Sequence, residues 1–177
     1  MPANLLVHIG TGKTGSSAIQ RYLLSNKEAL KKDKIYYWGL NLENSMAPTK
    51  YEWQRASDTW SILKSLSYDE SRFQLSQAII HAIRNQPNDS LADWRNESLH
   101  ERHQLYAEVI RSLHDLGVIG EIRIVAYARN HSEYVKSAYI QWGLKHKTYS
   151  GAMQKPIEWA RKNQDFLCYA ENLKAWD

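Results

Sequence analysis

Gly10, Gly12 and Gly15 punctuate a short run, Gly10-Thr11-Gly12-Lys13-Thr14-Gly15-Ser16-Ser17, whose residue types are those of an anion-binding turn. Glycine lets the backbone turn tightly and approach a ligand closely. Lys13 contributes a full positive charge, and Thr14, Ser16 and Ser17 contribute hydroxyl donors. The run follows the apolar stretch Leu5-Leu6-Val7-His8-Ile9 and leads into a helical pattern, so it reads as strand, turn and helix start. A helix start offers free N–H groups and the positive end of the dipole, worth about half a charge. The guest such a turn suits is a phosphate or sulfate group. A turn that used glycine for geometry alone would leave the lysine and the hydroxyls unexplained.

The elements that must position this turn alternate in type along the chain. After Ile9 and the turn, Ile19, Tyr22, Leu23 and Leu30 line one face of a helix ending near Lys32. Ile35-Tyr36-Tyr37-Trp38 is a second strand closed by Gly39, completing a βαβ unit that should be right-handed. A loop with Pro48 follows, then Trp53, Ala56, Trp60 and Leu63 at helical spacing from Glu52 to about Leu66. Ser67 and Glu70 form a capping-box pattern for a helix that should bury Phe73, Ile79, Ile80 and Ile83 and stop before Pro87. Ser90 to Arg95 is a weaker strand pattern, because Asp93 and Arg95 interrupt it. Ser98 and Glu101 make a second capping box for a helix carrying Leu105, Tyr106, Val109, Ile110 and Leu113, with Gly117 at its C′ position. Ile122 to Tyr127 is a strand, and Tyr134, Val135, Ala138 and Trp142 stripe a helix reaching about Lys145. Pro156 opens the last helical region. Strands alternating with helices predict an α/β layered fold with a parallel sheet.

Composition narrows the class further. With 177 residues, 43% hydrophobic and 24% charged, the chain suits one domain with a reasonable core. A net charge of +4 fits an anionic ligand and is too mild and dispersed to call for nucleic acid. Seven Trp and eleven Tyr against two Phe favour cores with wet edges, ring-stacking sites or partner surfaces. Cys168 is the single cysteine, which rules out an intrachain disulfide and a cysteine zinc site and favours a reducing, cytoplasmic compartment. No signal peptide is expected, and no apolar run is long enough for a membrane span.

Two nucleotide motifs come close and fail. The triphosphate P-loop needs a glycine five positions before Gly12, where this chain has Val7 inside the strand. Gly10, Gly12 and Gly15 match the dinucleotide spacing, but a lysine sits inside it and no acidic residue ends the second strand.

The stretch from Val7 to Gln20 resembles the 5′-phosphosulfate loop of sulfotransferases, especially the bacterial sulfotransferase-like group, which reads like H-I-G-x-P-K-T-G-T-T-S-I-Q. Here Gly12 replaces the usual proline and serines replace threonines. A second stretch, Arg129-Asn130-His131-Ser132-Glu133-Tyr134-Val135-Lys136-Ser137-Ala138-Tyr139, resembles the family's 3′-phosphate segment R-x-P-x-x-x-x-x-S-x-Y, with His131 in place of proline. The family clamps a 3′-phosphate with such an arginine and serine, a task to which the guanidinium fork is suited.

The resemblance implies a P-loop-like three-layer fold over residues 1–177, with a helical insertion at about 41–87. It implies 3′-phosphoadenosine-5′-phosphosulfate (PAPS) as donor and a hydroxyl or amine acceptor, such as a carbohydrate or glycolipid. Gly12, Lys13, Thr14, Gly15, Ser16 and Ser17 would hold the 5′-phosphosulfate, Arg129 and Ser137 the 3′-phosphate. Lys13 would also balance charge developing on the bridging oxygen, and no metal is required. Glu97, paired with Ser98 after a presumed strand, is the first choice for the base that takes the acceptor's proton. A stabiliser of the helix start is the alternative role for Glu97. His8 is expected to be a packed strand residue with its ring hydrogen-bonded, while His100, His103 and His131 are expected on helix surfaces. Tyr169 to Trp176 resembles the family's helix before a further strand, so the sheet is expected to be incomplete at its C-terminal end and the chain short. Two other classes remain: a phosphoryl-transfer enzyme, which needs Mg²⁺ and an acidic residue ending a strand, and a non-catalytic nucleotide-binding or interaction protein.

Overall fold

In the computed structural model, which describes residues 2–10, 15–56, 59–95, 103–147, 149–164 and 173–176, four parallel strands form one sheet. The strands are β1 (Asn4–His8), β2 (Ile35–Gly39), β3 (Leu91–Arg95) and β4 (Ile122–Val125), in the order β2-β3-β1-β4. Leu5 and Val7 have no solvent exposure, as befits a strand paired on both edges and covered on both faces. The register runs from Asn4 opposite Leu91 to His8 opposite Arg95 on one side, and from Leu5 opposite Ile122 to His8 opposite Val125 on the other. β2 therefore does not lie beside β1, because β3 inserts between them.

This order dictates the layers. The chain steps one way from β1 to β2, and the opposite way from β2 to β3 and from β3 to β4. Right-handed crossovers then place α1 (Ser16–Ser25) and α2 (Lys27–Lys32) on one face. The same rule places α4 (Tyr68–Arg84) and α5 (His103–Asp115) on the other face, leaving α3 (Thr59–Ser65) before them in the chain. The packing agrees: α4 lies against α5, and α1 and α2 lie against β2. The result is a three-layer α/β architecture.

The main core fills the space between the sheet and the α4–α5 layer. Ile79 and Ile83 of α4 and Leu105, Tyr106, Val109, Ile110 and Leu113 of α5 are buried there, as their spacing predicts; Ile80 is only partly buried, and Leu75, which the sequence pattern did not single out, is fully buried. Phe73 is not; it stands two positions from Leu75, about 200° around the helix, and is 56% exposed. Trp38 and Trp94 are completely buried, and each indole finds an acceptor: Gln86 Oε1 at 2.7 Å and the Leu40 carbonyl at 3.0 Å. These tryptophans are thus core residues with a satisfied polar tip.

Some boundaries differ from the periodic pattern for local reasons. The first helix breaks at Asn26, whose side-chain amide donates to the Tyr22 carbonyl at 2.8 Å and competes with the helical ladder. The pattern from Glu52 divides into a 3₁₀ turn (Glu52–Gln54) and α3, because Gln54 Oε1 accepts from the Lys50 and Tyr51 N–H groups. Ser67 caps α4 by accepting from the Glu70 N–H at 3.2 Å. Past β4, α6 (His131–Ala138) continues as a π-helical turn (Tyr139–Lys145), where Tyr139 packs on Gly143. With α7 (Pro156–Lys162) it builds a second small core around Tyr134, Ala138 and Trp159.

Candidate functional site

In an open α/β sheet, ligands bind at the carboxyl edge where neighbouring strands send their connections in opposite directions. Here those strands are β1 and β3. The ends of β1 and β3, at His8 and Arg95, lie side by side at this edge, and β4 ends beside β1 on its other side. The Ile9 N–H donates to the Val125 carbonyl at 3.0 Å, which carries this alignment one residue past the strands.

The anion-turn residues divide between described and undescribed ones. Gly12, Lys13 and Thr14 lie outside the described residues, as do Glu97 and the Ser98–Glu101 cap. Gly15 is the N-cap of α1 at φ 94°, ψ 5°, a left-handed conformation that other residues adopt only with strain. No cap side chain and no acidic residue in the first turn of α1 competes for its N–H groups. Ser16 begins this helix, and Ser17 is exposed on it.

On the β4 flank, Arg129 directly precedes Asn130, the cap of α6, whose side chain accepts from the Ser132 N–H at 3.1 Å. Arg129 is partly exposed, with Nη2 3.9 Å from Glu133 Oε2. Ser137 lies two turns into α6 and is half-buried. Fold topology thus brings Gly15–Ser17 and Arg129–Ser137 to neighbouring strand ends.

Between and beneath these segments the sheet carries a buried polar cluster that the periodic pattern did not single out. Register partners share a face, so His8, Arg95, Asp93 and Tyr37 all point to the α1 side. Asp93 grips Arg95, with Oδ1 3.0 Å from Nε and Oδ2 3.4 Å from Nη2, and both side chains are buried. His8 Nε2 lies 3.9 Å from Asp93 Oδ1, too far for a hydrogen bond. Its ring instead stacks on Tyr127, centroids 5.5 Å apart and 19° from parallel. His8 is therefore packed as expected but not hydrogen-bonded: both ring nitrogens, and Nη1 of Arg95, are buried without a partner.

Electrostatics follow from this burial. Burial first, and the Arg95 charge second, lower the His8 pKa from 6.5 to about 4, so the ring is neutral at pH 7. Burial raises the Asp93 carboxyl above its ordinary value, and the Arg95 charge and hydrogen bond partly oppose it. Burial, with the Glu43 and Asp93 charges behind it, pushes the Tyr37 hydroxyl up to about 12. The available signal was the pair of opposite charges two apart in a strand, which places both on one face.

On the same face a surface cavity of about 550 Å³ lies between α1 and the end of β2, lined by Ser17, Gln20, Arg21, Tyr37, Glu43 and Asn44 among others. Glu43 closes the end of β2, accepting from the Leu40 and Asn41 N–H groups at 3.1 and 2.6 Å. Among the described residues no group of three His, Cys, Asp or Glu side chains is placed to hold a metal ion, and no helix is long and apolar enough to cross a membrane.

The chain matches no family model, no curated protein and no solved structure.

Proposed function

We propose that this chain is a PAPS-dependent sulfotransferase that moves the sulfonate group to an acceptor hydroxyl or amine. The observation that supports this reading is the pairing of β1 with β4, whose neighbouring ends lead in sequence into the Gly10–Ser17 run and the Arg129–Ser137 segment. Two candidate phosphate-binding stretches, far apart in sequence, meet at one edge. A nucleotide with phosphates on both its 5′ and 3′ sides needs that arrangement, whereas a single anion does not.

In this reading Gly12 to Ser17 hold the 5′-phosphosulfate through backbone and hydroxyl donors, and Arg129 with Ser137 hold the 3′-phosphate. The sulfur–oxygen bond to the 5′-phosphate breaks as a new one to the acceptor oxygen or nitrogen forms, leaving 3′-phosphoadenosine-5′-phosphate (PAP). Lys13 balances charge on the departing bridging oxygen, and Glu97, two residues past β3, takes the acceptor's proton. Catalysis is positioning and charge stabilisation, as in phosphoryl transfer. The cavity beside Ser17, with Gln20, Arg21, Tyr37 and Asn44 on its walls, suits a polyhydroxyl acceptor such as a carbohydrate. The single cysteine is consistent with a cytoplasmic setting.

A phosphoryl-transfer enzyme is the second reading, and one observation favours it: β3 carries an acidic residue, Asp93, near its end beside β1. Both Asp93 oxygens are engaged by Arg95, which leaves the carboxylate poorly disposed toward Mg²⁺. Calorimetry with PAP, with no metal added, separates the readings. Binding that Lys13→Ala and Arg129→Ala each weaken at least tenfold is expected. No PAP binding by the wild-type chain, or ATP binding that depends on Mg²⁺, would overturn the sulfotransferase reading.

A further inference from the structure

Arg95, His8 and Asp93 take no part in the clamp just described, yet they are buried polar groups at the carboxyl ends of β1 and β3. Arg95 is 8% exposed and His8 7% exposed, and Asp93 occupies one edge of the guanidinium. A planar guanidinium gripped along its Nε–Nη2 edge turns its other amino group away from the gripping carboxylate. That amino group, Nη1, has no partner, and neither does either nitrogen of the adjoining imidazole. Buried polar groups without partners are costly and rare, and here three such nitrogens lie at the carboxyl ends of β1 and β3. They are also rigidly held: Arg95 by Asp93, and His8 by strand pairing and the Tyr127 ring.

The strand order says what such a group would meet. Across the edge the sequence of strands is β4, β1, β3, so the strand leading to Arg129 lies on one flank of the β1 end and Arg95 on the other. Two strand spacings, about 10 Å, separate those flanks. If the 3′-phosphate lies over β4 and the 5′-phosphate over the β1 turn, the sulfonate beyond the 5′-phosphate extends toward β3. Resting on the sulfotransferase reading, we infer that Arg95, positioned by Asp93, donates its Nη1 hydrogen bond to a non-bridging oxygen of the transferred sulfonate, with His8 as the neighbouring hydrogen-bond partner. Among the described residues, the charged and titratable groups facing His8 are Asp93 and Arg95 from β3 and Tyr127 beyond β4. A neutral ring between them leaves Arg95 as the cation that meets the sulfonate on the β3 flank.

The test compares two ligands that differ by the sulfonate alone. Calorimetry with PAP and with PAPS, without acceptor, is run on the wild-type chain and on Arg95→Gln and Arg95→Lys. Arg95→Gln should weaken PAPS about tenfold while leaving PAP within twofold, and Arg95→Lys should recover part of the loss. Unchanged PAPS affinity, or an equal loss for both ligands, overturns the inference while leaving the sulfotransferase reading intact. Failure of PAP to bind the wild-type chain overturns that reading and this inference with it. Should the Arg95 variants not fold, arginine side-chain N–H signals of the wild-type chain answer the same question by NMR. The Arg95 signal must move with PAPS and not with PAP; the same response to both overturns the inference.

Discussion

Asp93 and Arg95, two positions apart on β3, form an ion pair with Nε 3.0 Å from Oδ1 while both side chains are almost fully buried. Two opposite charges on one face of an interior strand neutralise each other locally. Neither would be tolerated there alone.

Removing one member should therefore be far worse than removing both. Asp93→Ala leaves the guanidinium buried and uncompensated and should cost about 3–5 kcal/mol of unfolding free energy. The double change Asp93→Leu with Arg95→Met, which keeps volume and removes both charges, should recover most of that loss. Urea unfolding of the variants measures it, and a double variant no more stable than Asp93→Ala would contradict the account.

Acid should destabilise the wild-type chain through His8. Its folded pKa, about 4, lies below its ordinary 6.5, so the unfolded chain binds more protons between those values. Stability then rises with pH across that window and is lost as pH falls from about 6.5 toward 4. Asp93 is shifted the opposite way but is present in both chains compared. Wild type should lose more stability than His8→Gln between pH 7 and pH 4.5; parallel stability curves would rule out this role for His8.

Gly39 is held at φ 85°, and a side chain there would collide with the Glu43 carboxylate that closes the end of β2. Gly39→Ala should cost about 1–2 kcal/mol from backbone strain alone. It should cost more in total, because Glu43 must give up its bonds to the Leu40 and Asn41 N–H groups. In a Glu43→Ala background the same substitution should cost less, a non-additivity that a double-mutant cycle reads directly.

Arg129 and Ser137 test the clamp without disturbing the core. Arg129 is partly exposed, and its Nη2 lies 3.9 Å from Glu133 Oε2 on the helix surface, so Arg129→Ala should change stability by less than about 0.5 kcal/mol. PAP affinity should nevertheless fall at least tenfold, and Ser137→Ala should weaken it by about two- to tenfold, as for a neutral hydrogen bond. Unaltered affinity in both variants would remove the 3′-phosphate assignment.

Much of the architecture was legible in the chain because it is local. β1, β2 and α5 follow from apolar runs and helical spacing, and the Ser67 cap follows from one hydroxyl at the right place. Phe73 was misplaced because several apolar residues competed for one face of α4, and the turn geometry, not hydrophobicity alone, decides which are inside. β3 was the faintest strand and proves central, since a buried ion pair hides the strand's apolar character from any scale that prices charges as exposed.

By itself, then, the sequence determined the alternation of strands and helices and the two stretches whose residue types suit an anion, since these depend on neighbours a few positions away. The strand order β2-β3-β1-β4 was decided only in three dimensions, by crossover handedness and by burial shared between distant segments. That order sets Gly15 and Arg129 on neighbouring strand ends and buries His8 beside Arg95. Proximity between residues so far apart along the chain is a property of packing, which no local pattern contains.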